Sequence, residues 1–553
     1  MISLGIICYQ GHSSAAALVR DGVVLAAVAE ERFSRRKSDD SFPEQSINWL
    51  LKSFNLSVKE IDHVAVSWSP TKTLIGQLLN LHNKSLGFLL EKRNGGNVRS
   101  RLEKFLLISG LKSEFKKRYQ YNGKFSYVDH HLSHAISAFV QSGKDDCIVM
   151  VADGMGEQAS TTIYEFNRSS YKILYRDLFP HSLGIFYSAA TQFLGFTPDS
   201  DEYKVMGMAA YSQSDKYFQR MASLYRIENG HFFLETAFFE IHKKANQFYS
   251  GKFSAHFPDC NTDEEKTAFA FALQRHLNFI VVEILKLQKN HFSSRHFATS
   301  GGVFLNCLLN QHLRNSELFE SYSFFPVADD NGTAIGAAQF VQWQKTTLKP
   351  VENLYLGPLP DFENEAGKLL DGVHSKKTTL QEIASLLADG HVVGMVKGKM
   401  EFGHRALGNR SILASPQRKE MKDVINQKVK MREPFRPFAP SILEENVSDY
   451  FEGAGCFPFM IETLNGRPQA KIMAPAIIHE DGTSRIQTVS KKDNPDFYEL
   501  LKEFHGLTGC PILLNTSFNL NGMPVVCTAE DAMNCFKKTN IDFLVIEDVL
   551  IWK

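Results

Sequence analysis

Residues 2–28 read ISLGIICYQGHSSAAALVRDGVVLAAV. Ile2–Tyr9 has the pattern of a buried strand, and Gly11 ends it. Ala15–Val19, the turn Arg20-Asp21-Gly22 and Val23–Val28 then read as a β-hairpin. The phrase returns further on. Cys147–Ala152 is a strand that runs into the Gly turn Asp153–Gly156. Thr161–Phe166, a polar turn at Asn167–Ser170 and Tyr171–Tyr175 make a second hairpin. A strand, a Gly turn and a hairpin occurring twice predict two related α/β lobes.

Working outward, Ser46–Phe54, Leu106–Tyr119 and Glu264–Gln288 have helical patterning. His296–Thr299 is a strand, and Gly332–Gln344 opens a helix after Asp329-Asp330-Asn331. Residues 70–115 read as a helical insertion whose Lys104, Lys112, Lys116, Lys117 and Arg118 form a solvated face. Thr346–Pro360 holds three Pro and no clear period, which places a domain linker there and divides the chain into 1–348 and 349–553. The second part reads as α+β.

The 553 residues carry 61 basic and 61 acidic side chains, which argues against bulk nucleic-acid binding. The eight Cys include no C-x-x-C pair, so neither a zinc knuckle nor a disulfide framework is indicated. The N-terminus lacks a basic region, and no stretch reaches the roughly 18 apolar residues of a membrane helix. The expectation is a reduced, cytoplasmic protein without membrane contact.

Four constellations carry chemistry. His130 and His134 in DHHLSHA share a helix face, while His131 points away. With a third ligand from elsewhere, Asp330 being the best placed, two imidazoles and a carboxylate suit Fe(II), Mn(II) or Zn(II). A pair of helix-start histidines without metal fits the same spacing. Asp153, Gly154, Gly156 and Glu157 follow one strand, and Ser300-Gly301-Gly302 follows another and precedes a helical run, Val303–Leu309. Loops of this kind bring backbone N–H groups to phosphate, and their joint occurrence points to ATP. His12 follows the first strand, where a neutral imidazole can take a proton from a hydroxyl. Asn515, Ser517 and Asn519 lie in a polar loop after the strand Pro511–Leu514.

Cations gather in residues 397–436, with eleven Lys or Arg against four Asp or Glu. Gly turns and apolar residues between them suit the wall of a pocket for a phosphate-bearing substrate. A solvated basic face is the alternative.

Together these segments resemble the O-carbamoyltransferases of antibiotic and nodulation pathways. The likeness is carried by GH-x-x-A at 11–15, EERFSR at 30–35, DHHLSHA at 129–135, DGMGE at 153–157 and EYKVMGMA at 202–209. It continues through GGVFLN at 301–306, DNGTAIGAA at 330–338, EFGHRALGNRSIL at 401–413, VKMREPFRPFAP at 429–440 and LLNTSFN at 513–519. It implies an actin-like (ASKHA) two-lobed domain followed by a YrdC-like domain. The second would make carbamoyl-adenylate from carbamoyl phosphate and ATP, and the first would pass the carbamoyl group to a hydroxyl of a small-molecule natural product.

In the terms of that resemblance, His130, His134 and Asp330 are metal ligands, with Fe(II) as the metal and Mg(II) accompanying ATP. Asp153, Gly154, Gly156, Glu157, Lys204, Gly301, Gly302 and Asn306 hold nucleotide. His12, Arg405 and Arg410 are catalytic. Lys399, Lys430, Arg432, Arg436, Asn515, Ser517 and Asn519 form the carbamoyl-phosphate and ATP region. A homodimer is implied as well.

Three positions depart from the family pattern. Ser13 replaces an Asp, Lys399 an Arg and Asp329 a Gly. A fused tRNA threonylcarbamoylation enzyme and a non-catalytic ATP-binding regulator are the alternative readings. The acceptor is not legible in the sequence, and the stretches 70–115 and 212–262 are expected to select it.

Overall fold

The computed structural model describes residues 1–73, 92–93, 99–362, 369–433 and 435–553. Part of the expected insertion at 70–115 therefore lies outside the described residues. The chain divides into two units. One is Met1–Ser34 with Ser38–Val351, and the other is Arg35–Lys37 with Glu352–Lys553.

The first unit contains two five-stranded sheets. In one, β1 (Ile2–Ile7), β2 (Ala15–Arg20), β3 (Val23–Ala29), β4 (His63–Val66) and β5 (Lys124–Tyr127) run in the order β3-β2-β1-β4-β5. In the other, β6 (Asp146–Ala152), β7 (Ala159–Asn167), β8 (Tyr171–Leu178), β9 (His296–Ser300) and β10 (Ser321–Phe324) run β8-β7-β6-β9-β10. The orders are the same. Each sheet begins with an antiparallel meander and continues with two strands parallel to its first. The two hairpins read from the sequence are the meanders. The parallel additions come from far along the chain and leave no local signal.

Two helices pack between these elements. α1 spans His130–Ser142 and α2 spans Thr333–Phe340. They approach so closely at Gly336 that a Cβ there would collide with the carbonyl of Ser133. The expected helix Val303–Leu309 is interrupted. A 3-10 turn covers Gly302–Leu305, Asn306 caps it off, and a helix follows over Cys307–Arg314. Asp263–Gln288 is one long helix. It is apolar enough to cross a membrane by composition, but 72% of that apolar stretch is buried inside the unit.

The second unit is built on a mixed eight-stranded sheet. Its strands are β11 (His374–Lys377), β12 (Val393–Val396), β13 (Arg410–Ala414), β14 (Ala439–Leu443), β15 (Gln487–Val489), β16 (Ile512–Ser517), β17 (Phe543–Ile546) and β18 (Val549–Trp552). They are ordered β11-β18-β17-β12-β13-β16-β14-β15. Val393, Ile412, Leu513 and Val545 lie in the core around it. Arg35 belongs to this unit through bonds to the carbonyls of Pro524 and Val525 and an ion pair with Asp531 at 3.0 Å. One expectation changes. Asn515–Ser517 are not a loop but the end of β16, because Asn515 is paired on both sides, with Leu413 and with Ala439.

Candidate metal and anion sites

Local chemistry fixes the start of α1. Asp129 accepts the Leu132 N–H at 2.9 Å, and both Glu157 carboxylate oxygens accept the His130 N–H at 3.1 Å. Carboxylates at a helix N-terminus satisfy its unpaired donors and its dipole. Burial, and then the neighbouring Asp129 charge, push Glu157 up to about 7.

From this fixed start, helical spacing aims His130 and His134 the same way. His130 Nε2 lies 3.3 Å from Asp153 Oδ2 and 3.4 Å from Asp330 Oδ1. The distances for His134 Nε2 are 3.4 and 3.6 Å. All four ligand atoms fall within 4.8 Å of one another. His131 faces elsewhere, with Nδ1 2.9 Å from Thr162 Oγ1, and burial lowers its pKa to about 3. Asp153 stands one residue past β6. Asp330 begins the turn into α2, whereas Asp329 accepts the Asn331 side-chain amide at 2.6 Å. The neighbouring aspartates thus separate, and only Asp330 reaches the histidines. Asp153, read in the sequence as part of a phosphate loop, is the fourth member of the cluster. The signal for it was a carboxylate directly after a strand end.

The donor set fits a cation. His130 Nδ1 is 3.3 Å from the Ser67 carbonyl, which can only accept, so Nδ1 carries the proton and a neutral ring turns its Nε2 lone pair inward. His134 Nδ1 is 2.9 Å from Ser300 Oγ, and its buried Nε2 has no hydrogen-bond partner. Two nitrogen and two carboxylate lone pairs therefore converge. Ligand atoms about 2.1 Å from one ion lie roughly 3–3.5 Å apart, close to the 3.3–3.6 Å between the histidine nitrogens and the carboxylate oxygens. Without an ion the same cluster must hold protons. Burial opposes charge on His130, but Asp330 and Asp153 outweigh it and hold its pKa well above the usual value. Asp330 and Asp153 are correspondingly held low by the histidines against the effect of burial.

His12 lies in the loop after β1, with Nε2 3.4 Å from Asp330 Oδ2 and its side chain 43% exposed. It reaches the cluster from the solvent side. Gly154 donates its N–H to Asp153 Oδ1 at 2.7 Å, and Gly302 lies against the same carboxylate. Gly301 has φ +98, and any Cβ there would strike the Ala152 carbonyl. Gly156 closes a turn through its N–H to the Ala159 carbonyl at 2.8 Å. Asn306 caps the helix Cys307–Arg314 and exchanges amide bonds with Gln274 at 2.8 and 3.1 Å. Lys204 pairs with Asp201 at 3.2 Å and lies over the Phe196 ring.

The cation-rich segment of the second unit separates into different environments. Arg410 is fully buried. Its guanidinium donates to the carbonyls of Gly398, Asn409 and Pro358, each at 3.0 Å, and burial lowers its pKa. It ties three chain segments together. Lys430 ends a π-helical turn, Asn426–Lys430, and is also buried. Its ammonium meets the Ser517 carbonyl, Ser517 Oγ at 3.3 Å, the Asn519 carbonyl at 3.3 Å and Asn519 Oδ1 at 2.8 Å. All four are neutral. Burial first, and then the nearby Arg432 and Arg436 charges, hold Lys430 well below the ordinary lysine range.

Arg432 bonds Asn426 Oδ1 at 2.7 Å and stacks on Phe438, while Arg436 is 3.2 Å from Glu433. Asn515 is buried, with its amide N–H groups on Ser441 Oγ and Gln487 Oε1. Lys399 lines a separate cleft of about 300 Å³ with Lys397, Asn409, Tyr355 and the start of the helix Pro495–Thr508. Arg405 is half-buried before β13. The structure therefore joins Lys430, Ser517 and Asn519 directly, with Arg432 and Arg436 close by, and sets Arg410 apart in the core.

Comparison with known proteins identifies the class. A family model described as carbamoyltransferase N-terminus matches residues 3–339, and one described as carbamoyltransferase C-terminus matches 384–553. The chain belongs to this family and is an enzyme with carbamoyltransferase activity. An uncharacterized protein of Synechocystis sp. is 36% identical, covering 100% of this chain and 96% of its own length. Nodulation protein NolNO of Sinorhizobium fredii is 35% identical, covering 98% of this chain and 79% of its own. Among solved structures, component A of the Acidaminococcus fermentans (R)-2-hydroxyglutaryl-CoA dehydratase aligns with 62% of this chain and 97% of its own. That alignment has 14% identity and a TM-score of 0.33.

Proposed function

We propose that this enzyme uses ATP and carbamoyl phosphate to make carbamoyl-adenylate, and transfers the carbamoyl group to a hydroxyl of a small-molecule natural product. The observation that carries the reading is the convergence of His130, His134, Asp153 and Asp330 with His12 at the open side. A divalent ion held by these four side chains, Fe(II) in the first instance, supplies Lewis-acid charge for a nucleotide phosphate.

His12 takes the proton of the acceptor hydroxyl as its oxygen attacks the carbamoyl carbon, and AMP leaves. Asp330 holds the His12 ring for that task. Gly154, Gly301 and Gly302 keep side chains out of the space beside Asp153, which leaves room for a phosphate.

The second unit carries the donor chemistry. Carbamoyl phosphate is hydrolysed to carbamate and phosphate, and carbamate attacks ATP to give carbamoyl-adenylate and pyrophosphate. Lys430, Arg432 and Arg436 neutralise the donor's phosphates, with Ser517 and Asn519 holding the lysine. This unit is YrdC-like in that reading, and the first is actin-like. Arg410 acts by fixing the segments 358, 398 and 409 rather than by touching substrate.

The test is release of phosphate and AMP from carbamoyl phosphate plus ATP, with and without a panel of hydroxylated acceptors, in wild type, Lys430→Met and His130→Ala. Wild type is expected to form both products. Lys430→Met should lose both, and His130→Ala should keep phosphate release but lose AMP. Failure of the wild-type enzyme to consume carbamoyl phosphate would overturn the donor assignment.

A further inference from the structure

Arg35–Lys37 belong to the second unit, although Met1–Ser34 and the residues from Ser38 to Val351 form the first. The backbone marks this short piece. Arg35 has φ +56 and Ser38 has φ +58, left-handed values that favour glycine. Such a conformation persists where the surroundings hold it. For Arg35 the hold is its guanidinium. Nη1 donates to the Val525 carbonyl at 2.7 Å, Nη2 donates to the Pro524 carbonyl at 3.0 Å, and Nε pairs with Asp531 Oδ1 at 3.0 Å. The other Asp531 oxygen accepts the N–H groups of Cys527 and Thr528 at 3.0 and 3.1 Å. A planar fork suits this set of acceptors better than a single ammonium on a flexible stem.

The two carbonyls belong to the loop between β16 and the helix Ala529–Lys537. The loop's tip, Asn521–Met523, is exposed, and its own bonds close it on itself. Val526 donates its N–H to the Phe518 carbonyl at 2.9 Å, and Met523 donates to the Leu520 carbonyl at 3.1 Å. Asn519 Nδ2 donates to the Met523 carbonyl at 2.8 Å. The other end of that amide, Asn519 Oδ1, accepts from the Lys430 ammonium at 2.8 Å and from Ser517 Oγ at 2.7 Å. A connected path therefore runs from Arg35 through Pro524 and Met523 to Asn519 and Lys430. Burial raises the Cys535 thiol to about 11, and the Lys430 and Arg35 charges both act against it, so both cations stand close to one buried side chain.

We propose that Arg35 is a positioning residue of the donor site: it anchors the loop after β16, the loop sets Asn519, and Asn519 sets the Lys430 ammonium that receives the phosphate of carbamoyl phosphate. The inference rests on the donor reading of the second unit. Arg35 touches no substrate and takes no proton. It acts by keeping one oxygen, Asn519 Oδ1, in place against a buried lysine that needs it. The donor site thus depends on a side chain 395 positions before Lys430, within the EERFSR segment at 30–35.

The test uses the full-length enzyme with carbamoyl phosphate and ATP and reads phosphate release. Arg35→Ala is expected to lower kcat/KM for carbamoyl phosphate by about 10–100-fold, the range typical of a group standing behind a ligating one. Arg35→Lys should recover part of that loss. Asn519→Ala should lower kcat/KM as well, and the double variant should be no worse than the poorer single one, because Arg35 acts through Asn519. Losses that add overturn the proposal, and so does wild-type kcat/KM in Arg35→Ala. Should Arg35→Ala not fold, Arg35→Gln, which keeps a donor for one carbonyl, carries the same cycle. Hydrogen exchange gives a readout without turnover. Arg35→Ala should speed exchange of the Met523 and Val526 N–H groups by about 10-fold or more and leave the core strand β12 unchanged. Equal exchange in the loop, or faster exchange in β12 as well, overturns the anchoring role. No phosphate release from the wild-type enzyme would instead sink the donor reading, and the exchange result would then decide the anchor by itself.

Discussion

In the first unit two buried imidazoles face two carboxylates at 3.3–3.6 Å. In the second, the buried Lys430 side chain faces, among the described residues, neutral oxygens, with Arg432 and Arg436 near enough to oppose its charge. The first gathers the lone pairs of two nitrogens and two carboxylates. The second gathers three cations, of which Arg436 pairs with Glu433. Buried charge is expensive, so each arrangement favours a ligand of the opposite sign.

The largest expected effect comes from breaking the first site. Asp153→Asn should lower carbamoyl transfer by more than about 100-fold and reduce the metal content of the purified enzyme, since loss of a direct ligand should exceed the 10–100-fold typical of a group behind one. Metal analysis beside AMP release checks it, and unchanged metal content would remove Asp153 from the cluster.

Next is Arg410→Ala. It leaves the carbonyls of Gly398, Asn409 and Pro358 without this donor, the last in a buried place and the other two half-buried. The expected loss is about 1–3 kcal/mol of stability for each buried carbonyl left unsatisfied, read by denaturant unfolding. A variant as stable as wild type but without donor chemistry would return Arg410 to the catalytic role.

Lys430 sharpens the comparison through protons. Its pKa is lowered in the fold, so between that value and the unfolded one the folded chain binds fewer protons, and this group's contribution to stability rises with pH. A bound phosphate stabilises the ammonium and raises its pKa again. Binding of carbamoyl phosphate is therefore expected to take up protons at pH values between the free and bound pKa, up to about one per site, measured as heats in buffers of different ionisation enthalpy. Lys430→Met should bind weakly and without uptake.

The smallest effect concerns Glu202, outside both sites. Burial, and then the Asp199 charge, raise it from 4.5 to about 7, while it accepts from Ser188 Oγ at 2.6 Å. The folded state keeps this proton at pH values where the unfolded state has lost it. The stabilisation is complete below about 4.5 and is lost as pH rises to about 7. The slope is at most about 1.4 kcal/mol per pH unit, and Glu202→Gln should flatten it.

Much of the fold was legible because its signals are local. Both meanders announced themselves by short apolar strand runs around polar or Gly-containing turns, and the His130/His134 pair by helical spacing. The ends of β16 were not legible, because Asn515 looks like a loop residue until two neighbouring strands claim its backbone. The helix after Gly302 was read as continuous because the break at Asn306 depends on Gln274, from a helix 32 residues earlier.

The sequence by itself therefore determined which chemistry is present: two imidazoles on one helix face, glycines after strands, and a concentration of cations at 397–436. Tertiary structure decided how those residues are divided. It chose Asp330 over Asp329, added Asp153 to the histidines, sent Arg410 to three carbonyls in the core and left Lys430 among neutral oxygens. The physical reason is range. Spacing along a helix or strand fixes direction over a few residues. Which carboxylate meets which imidazole is set by sheet order and helix packing between segments up to 200 residues apart.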